Sequence, residues 1–430
     1  MKSYSITNVT ACEVFNGNWT PTIEVTICVG KSVCESGIAP MGRSTGSNEA
    51  VEVRDRGLRY DGFGCLTAVN NIETILRDRL IGMDVTQQEA IDAAIIDLDG
   101  TSDKSRLGSN TITAVSAAVT AAAAKVAGLP IYKYIHKDAH VLPVPMMDFI
   151  SGAHYSFGAT SMIQEYGVLP IGASSFSQAL EYLYRFYSSL RTILIKKYGA
   201  LAQCVDAAGT FAVPIKKCRG NLDLLMLAAE KSGLSDKLVF GLDCAANTWY
   251  DRQSNLYCFE DERLNRTELL SVYKDLIKDY PIVSLEDPFA ETDIDGFVLA
   301  TKTLGIQIVG DDLFTTNPVI INAKAPLGAG NALLWKYNQI GTLTEAYKAA
   351  TAAKKNGYSV MVSARSEENE DSIAADLAVA LNAGQCKFGI CIRTENVSKY
   401  NRLLVIEKQL GDEAVYPGRN VLNGRACFHT

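Results

Sequence analysis

No stretch of this chain is apolar for long enough to cross a bilayer, and its amino end shows no basic-then-apolar targeting segment, so the cytoplasm is the expected compartment. Paired cysteine spacings are missing too. Eleven cysteines, an odd number, stand singly without a C-x-x-C, and several (Cys28, Cys244, Cys386, Cys391) fall inside apolar runs. That scatter argues against zinc and against disulfides, and the cysteines are expected as small core residues in a reducing compartment. Nor is there an excess of positive charge. With 41 Lys+Arg against 48 Asp+Glu the formal charge is −7, which offers no general attraction for nucleic acid or an anionic membrane. Neither is expected as a partner, and an anionic substrate has to be held by local cations or metal.

What the chain does have is a repeated unit in which an apolar β-forming run ends on a polar residue. The run Ile282 to Phe289 (IVSLEDPF) delivers Glu286 and then turns at a proline. Upstream, Lys237 to Asp243 ends on Asp243; downstream, Ile306 to Asp312 ends on Asp311 and Asp312. Ala332 to Lys336 ends on a lysine, and Tyr358 to Ser366 on Arg365 and Ser366. Segments of helical periodicity, such as Arg266 to Lys278 and Leu343 to Ala353, separate these runs. Strand, polar residue and helix in repetition predict a parallel sheet closed into a barrel with its chemistry at the carboxyl ends of the strands. Asp243, Glu286 and Asp311 would converge there as an all-oxygen site, which suits Mg²⁺.

At 430 residues the chain exceeds a usual single core. The expected division is a smaller N-terminal α+β domain over 1–140 and a β/α barrel over 141–430, the change coming near Val141 to Pro145. Ser5 to Phe15 and Pro21 to Val29 alternate like paired strands, with Asn16 to Asn18 as the turn. Pro40 to Gly46 (PMGRSTG) reads either as a surface turn or as a mobile loop that closes over an anion or metal. Helical periodicity marks Cys65 to Leu80 and Gln87 to Leu98, and an alanine-rich helix runs to Ala127 before Gly128 stops it. Glu165 stands in an apolar stretch, which fits either a paired carboxylate or a functional one.

Taken together these segments resemble the enolases, and the resemblance covers essentially the whole chain. It is carried by Ser44 to Gly46, Leu107 to Asn110, Gln164 with Glu165, Gly172 to Phe176, Ser284 to Phe289, Gly310 to Leu313 with Thr316 to Pro318, Lys336 with Asn338 to Gly341, and Lys399 to Asn401 with Glu407. The resemblance implies a Mg²⁺-dependent lyase that interconverts 2-phosphoglycerate and phosphoenolpyruvate, with two Mg²⁺ in the site. Asp243, Glu286 and Asp311 would hold the first ion, and Ser44 would help to hold the second with the substrate's phosphate. Lys336 would be the general base at C2, its ammonium form disfavoured beside the metals. Lys387 would pair with the substrate carboxylate, and Arg365 with Ser366 would grip the phosphate. A homodimer or higher homo-oligomer paired through N-terminal domains is also implied.

The departures are as specific as the matches. The glutamate that serves the family as general acid falls on Ala207, and the histidine of its Ser-His-Arg-Ser falls on Ala364. An early-loop histidine aligns with Ser156 unless a small gap moves His154 into place. The groups expected around C2 persist, whereas those around the departing C3 hydroxyl are rebuilt, leaving Asp206, Glu165 or His154 as substitutes for the acid. Three functions stay open on the sequence: dehydration of 2-phosphoglycerate; action on a related carboxylate bearing a phosphate or phosphonate, as in synthesis of carboxyphosphonoenolpyruvate; and a non-catalytic binding role. Retention of Lys336 with all three metal acids speaks against the last.

Overall fold

The computed structural model describes residues 4–43, 45–152, 159–200, 205–206 and 208–423. Near the amino end, β1 (Ile6–Phe15), β2 (Pro21–Val29) and β3 (Val33–Ile38) form an antiparallel meander. The first two follow the alternation in the sequence, while β3, with its mixed composition, was not foreseen there. The helix Ser109–Ala127 lies across this sheet, buried along nearly all its length. Gly37 makes that approach possible, since a Cβ there would stand 2.6 Å from Ala114 O and Ala118 N. Alanines on the helix and a glycine on the strand replace the usual spacing of larger side chains, and Val25, Ile27, Ile112 and Val115 fill the remaining core.

The expectation about cysteine fails here. Cys28 and Cys34 are register partners on β2 and β3 and form a disulfide, and neither is a core residue, Cys28 being half-buried and Cys34 exposed. A hairpin brings residues six apart face to face across two strands, a proximity that linear spacing does not display. Cys244 and Cys386 are buried as anticipated.

The rest of the chain forms a barrel. Its strands are β4 (Val144–Pro145), β5 (Met147–Ser151), β6 (Glu165–Leu169), β7 (Phe211–Ala212), β8 (Val239–Asp243), β12 (Ile282–Glu286), β13 (Gln307–Gly310), β14 (Ala332–Trp335), β15 (Ser359–Ser363) and β16 (Gly384–Lys387), with β9 (Tyr250–Asp251), β10 (Leu256–Phe259) and β11 (Glu262–Leu264) forming a separate small sheet. The order is β4-β16-β15-β14-β13-β12-β8-β6-β5-β7. Because β4 and β5 are one continuous segment, pairing to β16 at its start and to β6 at its end, the ring closes.

The sheet is not wholly parallel, as the repeated unit had suggested. β6 runs antiparallel to both β5 and β8. The reason is local: the described residues between β5 and β6 supply no crossover helix, and without a crossover the second strand has to reverse. The reversal places the first residue of β6, Glu165, at the ring end where the other strands finish.

Period-two alternation sorts the barrel residues. On β14, Leu333 and Trp335 face the helices, while Ala332 and Leu334 belong to an inner cluster with Val239, Leu169 and Met361. The next inward position is Lys336. The same count along β8, β13 and β16 points Asp243, Asp311 and Lys387 inward, and a register shift between Ile282 and Ser284 brings Glu286 into line. Below them, Gln307 and Gln385 exchange side-chain hydrogen bonds across the barrel (2.9 and 3.0 Å).

Disulfide removal tests the hairpin. Closing so short a loop constrains the unfolded chain modestly, so Cys28→Ser with Cys34→Ser should lower unfolding free energy by about 2 kcal/mol. Chemical denaturation with and without reductant checks it: wild type should respond to reductant and the double variant should not.

Candidate active site

Three strand ends converge on one ammonium group. Lys387 Nζ lies 2.8 Å from Asp243 Oδ2, 2.9 Å from Glu286 Oε2 and 2.9 Å from Glu165 Oε2. These three acids are neighbours in register, Glu165 opposite Asp243 and Asp243 opposite Glu286. Gln164 adds a hydrogen bond to Asp243 Oδ2 at 3.1 Å. A second ammonium takes the next acid: Lys336 Nζ is 2.5 Å from Asp311 Oδ2, and Gln339 donates to Asp311 Oδ1 at 2.7 Å.

The three acids expected as metal ligands are thus shared between two lysines. Among the described residues, the carboxylates whose oxygens gather within 4.8 Å are Asp287, Asp311 and Asp312. Asp243 and Glu286 are drawn to Lys387, Asp311 to Lys336. Lys387, expected to pair with the substrate, holds three protein carboxylates in this structure. Glu165 is a paired carboxylate, 2.9 Å from Lys387, and it lines the cavity.

The electrostatics favour a hard cation. Seven buried or nearly buried acids (Asp148, Glu165, Asp243, Glu286, Asp287, Asp311, Asp312) face two lysines. Burial, reinforced by Asp243, pushes the Glu286 carboxyl well above its ordinary range. Burial and Asp311 push Asp312 up to about 7. Asp243 goes the other way, because Lys387 overcomes its burial. The donor set is all oxygen, comes from strands adjacent in the ring and lacks enough lysine to neutralise it, so these residues fit a divalent cation of the Mg²⁺ type. For Lys336, burial disfavours the ammonium, but Asp311 outweighs it and the group is held above its usual value. The expected lowering is not seen while Asp311 remains its partner.

Arg365 is fixed from the N-terminal side of the molecule. Its Nη1 lies 2.8 Å from Glu49 Oε2 and 3.2 Å from Asn338 Oδ1. The segment 41–43 lies against 366–367: Met41 and Glu367 exchange backbone hydrogen bonds at 3.0 Å, and Arg43 N donates to Ser366 Oγ at 2.9 Å. The glycine-rich loop is thus folded onto the site at Met41 to Arg43. A Cβ on Gly42 would come within 1.8 Å of the Arg365 guanidinium, so only glycine lets the loop approach this closely. Ser44, His154, Ser156 and Ala207 lie outside the described residues.

Asp148, Gln164, Glu165, Asp243, Asp311, Lys336, Ala364, Arg365, Ser366 and Lys387 line one cavity of about 60 Å³. Backbone strain collects around it: Ala245, Asp287, Thr315 and Thr316, each just past a site-bearing strand, have φ of +42°, +39°, +45° and +49°. Sequence reasoning missed Glu49, Gln339 and Asp148. Asp148 carried the same signal as Glu165, an acid within an apolar strand; Glu49 and Gln339 gave none, since their roles depend on distant partners.

Fold and site together define a barrel enzyme carrying a smaller N-terminal α+β domain. Comparison with known proteins narrows this class. The family described as "Enolase, C-terminal TIM barrel domain" matches residues 139–424, and "Enolase, N-terminal domain" matches residues 6–135. Proteins named Enolase from Methanocaldococcus jannaschii (46% identical, over 97% of this chain and 98% of that protein) and Thermococcus kodakarensis (45%, over 98% of each) are similar along nearly their whole length. The chain belongs to the enolase family and is an enolase-type lyase.

Raised carboxyls give stability a defined pH trend in chelator. Glu286, Asp287 and Asp312 bind protons more tightly folded than unfolded, so their contribution is lost as pH rises above the ordinary carboxylate range, for Asp312 through about 7. Asp243 contributes with the opposite sign, its stabilisation being lost only as pH falls below about 4. Thermal melting in chelator should therefore show a midpoint that falls between pH 5 and pH 8; a flat or rising profile would contradict the assignment.

Proposed function

We propose that this lyase dehydrates 2-phosphoglycerate to phosphoenolpyruvate, with Asp243, Glu286 and Asp311 holding a Mg²⁺. The observation that carries the reading is the meeting of Lys336, Arg365, Ser366 and Lys387 with Asp243 and Asp311 on one cavity, Glu286 being held 2.9 Å from Lys387. The cation supplies positive charge to the dianionic enolate that forms when the proton beside a carboxylate is removed. Lys336 takes the C2 proton. The same Asp311 that now holds its ammonium belongs to the proposed metal set, and for a lysine relieved of that partner burial and the Arg365 charge disfavour the ammonium against Glu286 alone. Lys387 offers its ammonium to the substrate carboxylate, and Arg365, already aimed by Glu49 and Asn338, offers a planar face to the phosphate with Ser366 beside it. Ser44 keeps the role of assisting a second Mg²⁺, and His154 that of a substrate-binding residue.

The division of the chain near residue 140, pairing of two copies through their N-terminal domains and a cytoplasmic location complete this reading. No helix among the described residues is long and apolar enough to cross a membrane. A second substrate is favoured by one observation: Ala364 lines the cavity where the family carries a histidine. A smaller wall at the leaving-group end suits a related phosphonate-bearing carboxylate, as in carboxyphosphonoenolpyruvate synthesis.

Absorbance of phosphoenolpyruvate, followed together with exchange of the C2 proton into deuterated water, tests the proposal. With Mg²⁺ and 2-phosphoglycerate, exchange should run at least as fast as product formation, because the groups expected around C2 persist while the family's own acid for the second step falls on Ala207. Lys336→Ala should abolish both. If the wild-type protein binds Mg²⁺ yet shows neither exchange nor product, the substrate is a different carboxylate.

A further inference from the structure

The cavity contains a carboxyl group to which neither the strand-end pattern nor the family resemblance gives a role. Asp148, the second residue of β5, is 1% exposed and lines the same cavity as Lys336, Arg365 and Lys387. Its Oδ1 is buried with no hydrogen-bond partner among the described residues. Gln164, 5% exposed, also lines the cavity, and its Oε1 has no donor among the described residues. Two buried polar oxygens without partners among the described residues, on residues lining one polar cavity, disfavour folding unless a ligand arrives to satisfy them.

The fold makes room for this carboxyl. Asp148 is opposite Gly167 on β6, and Gly167 is opposite Gly241 on β8, so two glycines lie where side chains would otherwise fill the barrel. A Cβ on Gly167 would stand 3.0 Å from Asp148 Oδ1, and one on Gly241 would stand 2.7 Å from Met146 Sδ. Met146 and Asp148, alternate residues of one segment, occupy the space. Ala208 and Ala364 line the same cavity with methyl groups only, which leaves its polar contacts to the deeper residues.

We propose that Asp148 is the acid that protonates the departing hydroxyl, with Gln164 accepting a hydrogen bond from that same hydroxyl. This rests on the 2-phosphoglycerate reading. As the C3–O bond breaks, its electron pair leaves with oxygen, the Asp148 proton moves onto that oxygen, and water departs; the carboxylate regains its proton from solvent. Other acids are less suited. Glu165 is tied to Lys387 through Oε2. Asp206 uses Oδ1 to hold the backbone N–H groups of Ala208 and Thr210 and does not line the cavity. Burial, then the neighbouring Glu165 carboxylate, keeps the Asp148 carboxyl well above its ordinary range, which is the protonated form an acid requires.

The test compares two rates in the intact protein with Mg²⁺ and 2-phosphoglycerate. Asp148→Asn, of nearly equal size, should lower phosphoenolpyruvate formation by about 10² or more while C2 proton exchange falls less than about threefold. Persistent exchange also shows that the variant is folded, and Asp148→Ser, which removes the acid at a smaller volume, should split the two rates in the same way. Equal loss of both rates in both variants, or no loss of product formation in either, overturns the assignment. Failure of the reading on which it rests looks different, since the unsubstituted protein would then show neither rate.

Discussion

The ammonium of Lys387 among three buried carboxylates is the interaction on which this site depends. Removing two charges from water is costly, and burying three like charges on adjacent strands without a cation would be prohibitive. The lysine is delivered by the last barrel strand and the acids by β6, β8 and β12, so it joins parts of the ring far apart in order. Lys336 and Asp311 repeat the device on a smaller scale between β13 and β14. The two lysines leave the acid cluster short of positive charge, a condition that serves binding rather than stability.

Around this centre the N-terminal part of the chain contributes to the site as well as to the fold. Glu49 orients the guanidinium of Arg365, and the 41–43 segment lies over the strand-end loop at 366–367. Deeper contacts hold the same relation in place: Thr113 donates to Gly341 O at 2.8 Å, Ser116 Oγ accepts from Leu343 N at 3.0 Å, and Asp92 receives Thr344. These contacts begin one turn beyond Lys336. The Ser109–Ala127 helix is thereby tied to the loop that follows Lys336.

The polar residues and the strained backbone share a cause. Each site side chain stands at a strand's last inward position, and the chain has to turn sharply just beyond it to enter the next helix. Non-glycine residues in the left-handed region, Asp287 directly after Glu286 among them, are the cost of keeping an acid there instead of glycine. Asp287 repays part of it by accepting the N–H groups of Asp311 and Asp312 at 3.1 and 2.8 Å, which ties two neighbouring strand ends together.

The sequence by itself determined the repeating unit, the inward position of Asp243, Asp311, Lys336 and Lys387, and the family, because alternation and short motifs are properties of adjacent residues. The disulfide, the reversed β6 and the partners of Lys387 were decided only by tertiary structure. Cys28 and Cys34 become neighbours through a hairpin, Glu165 reaches the carboxyl end because its strand runs backwards, and three acids share one lysine because the ring closes. Asp148 shows the difference within a single residue. Its place in an apolar run was visible, but its unpartnered oxygen depends on two glycines from other strands that sequence distance hides.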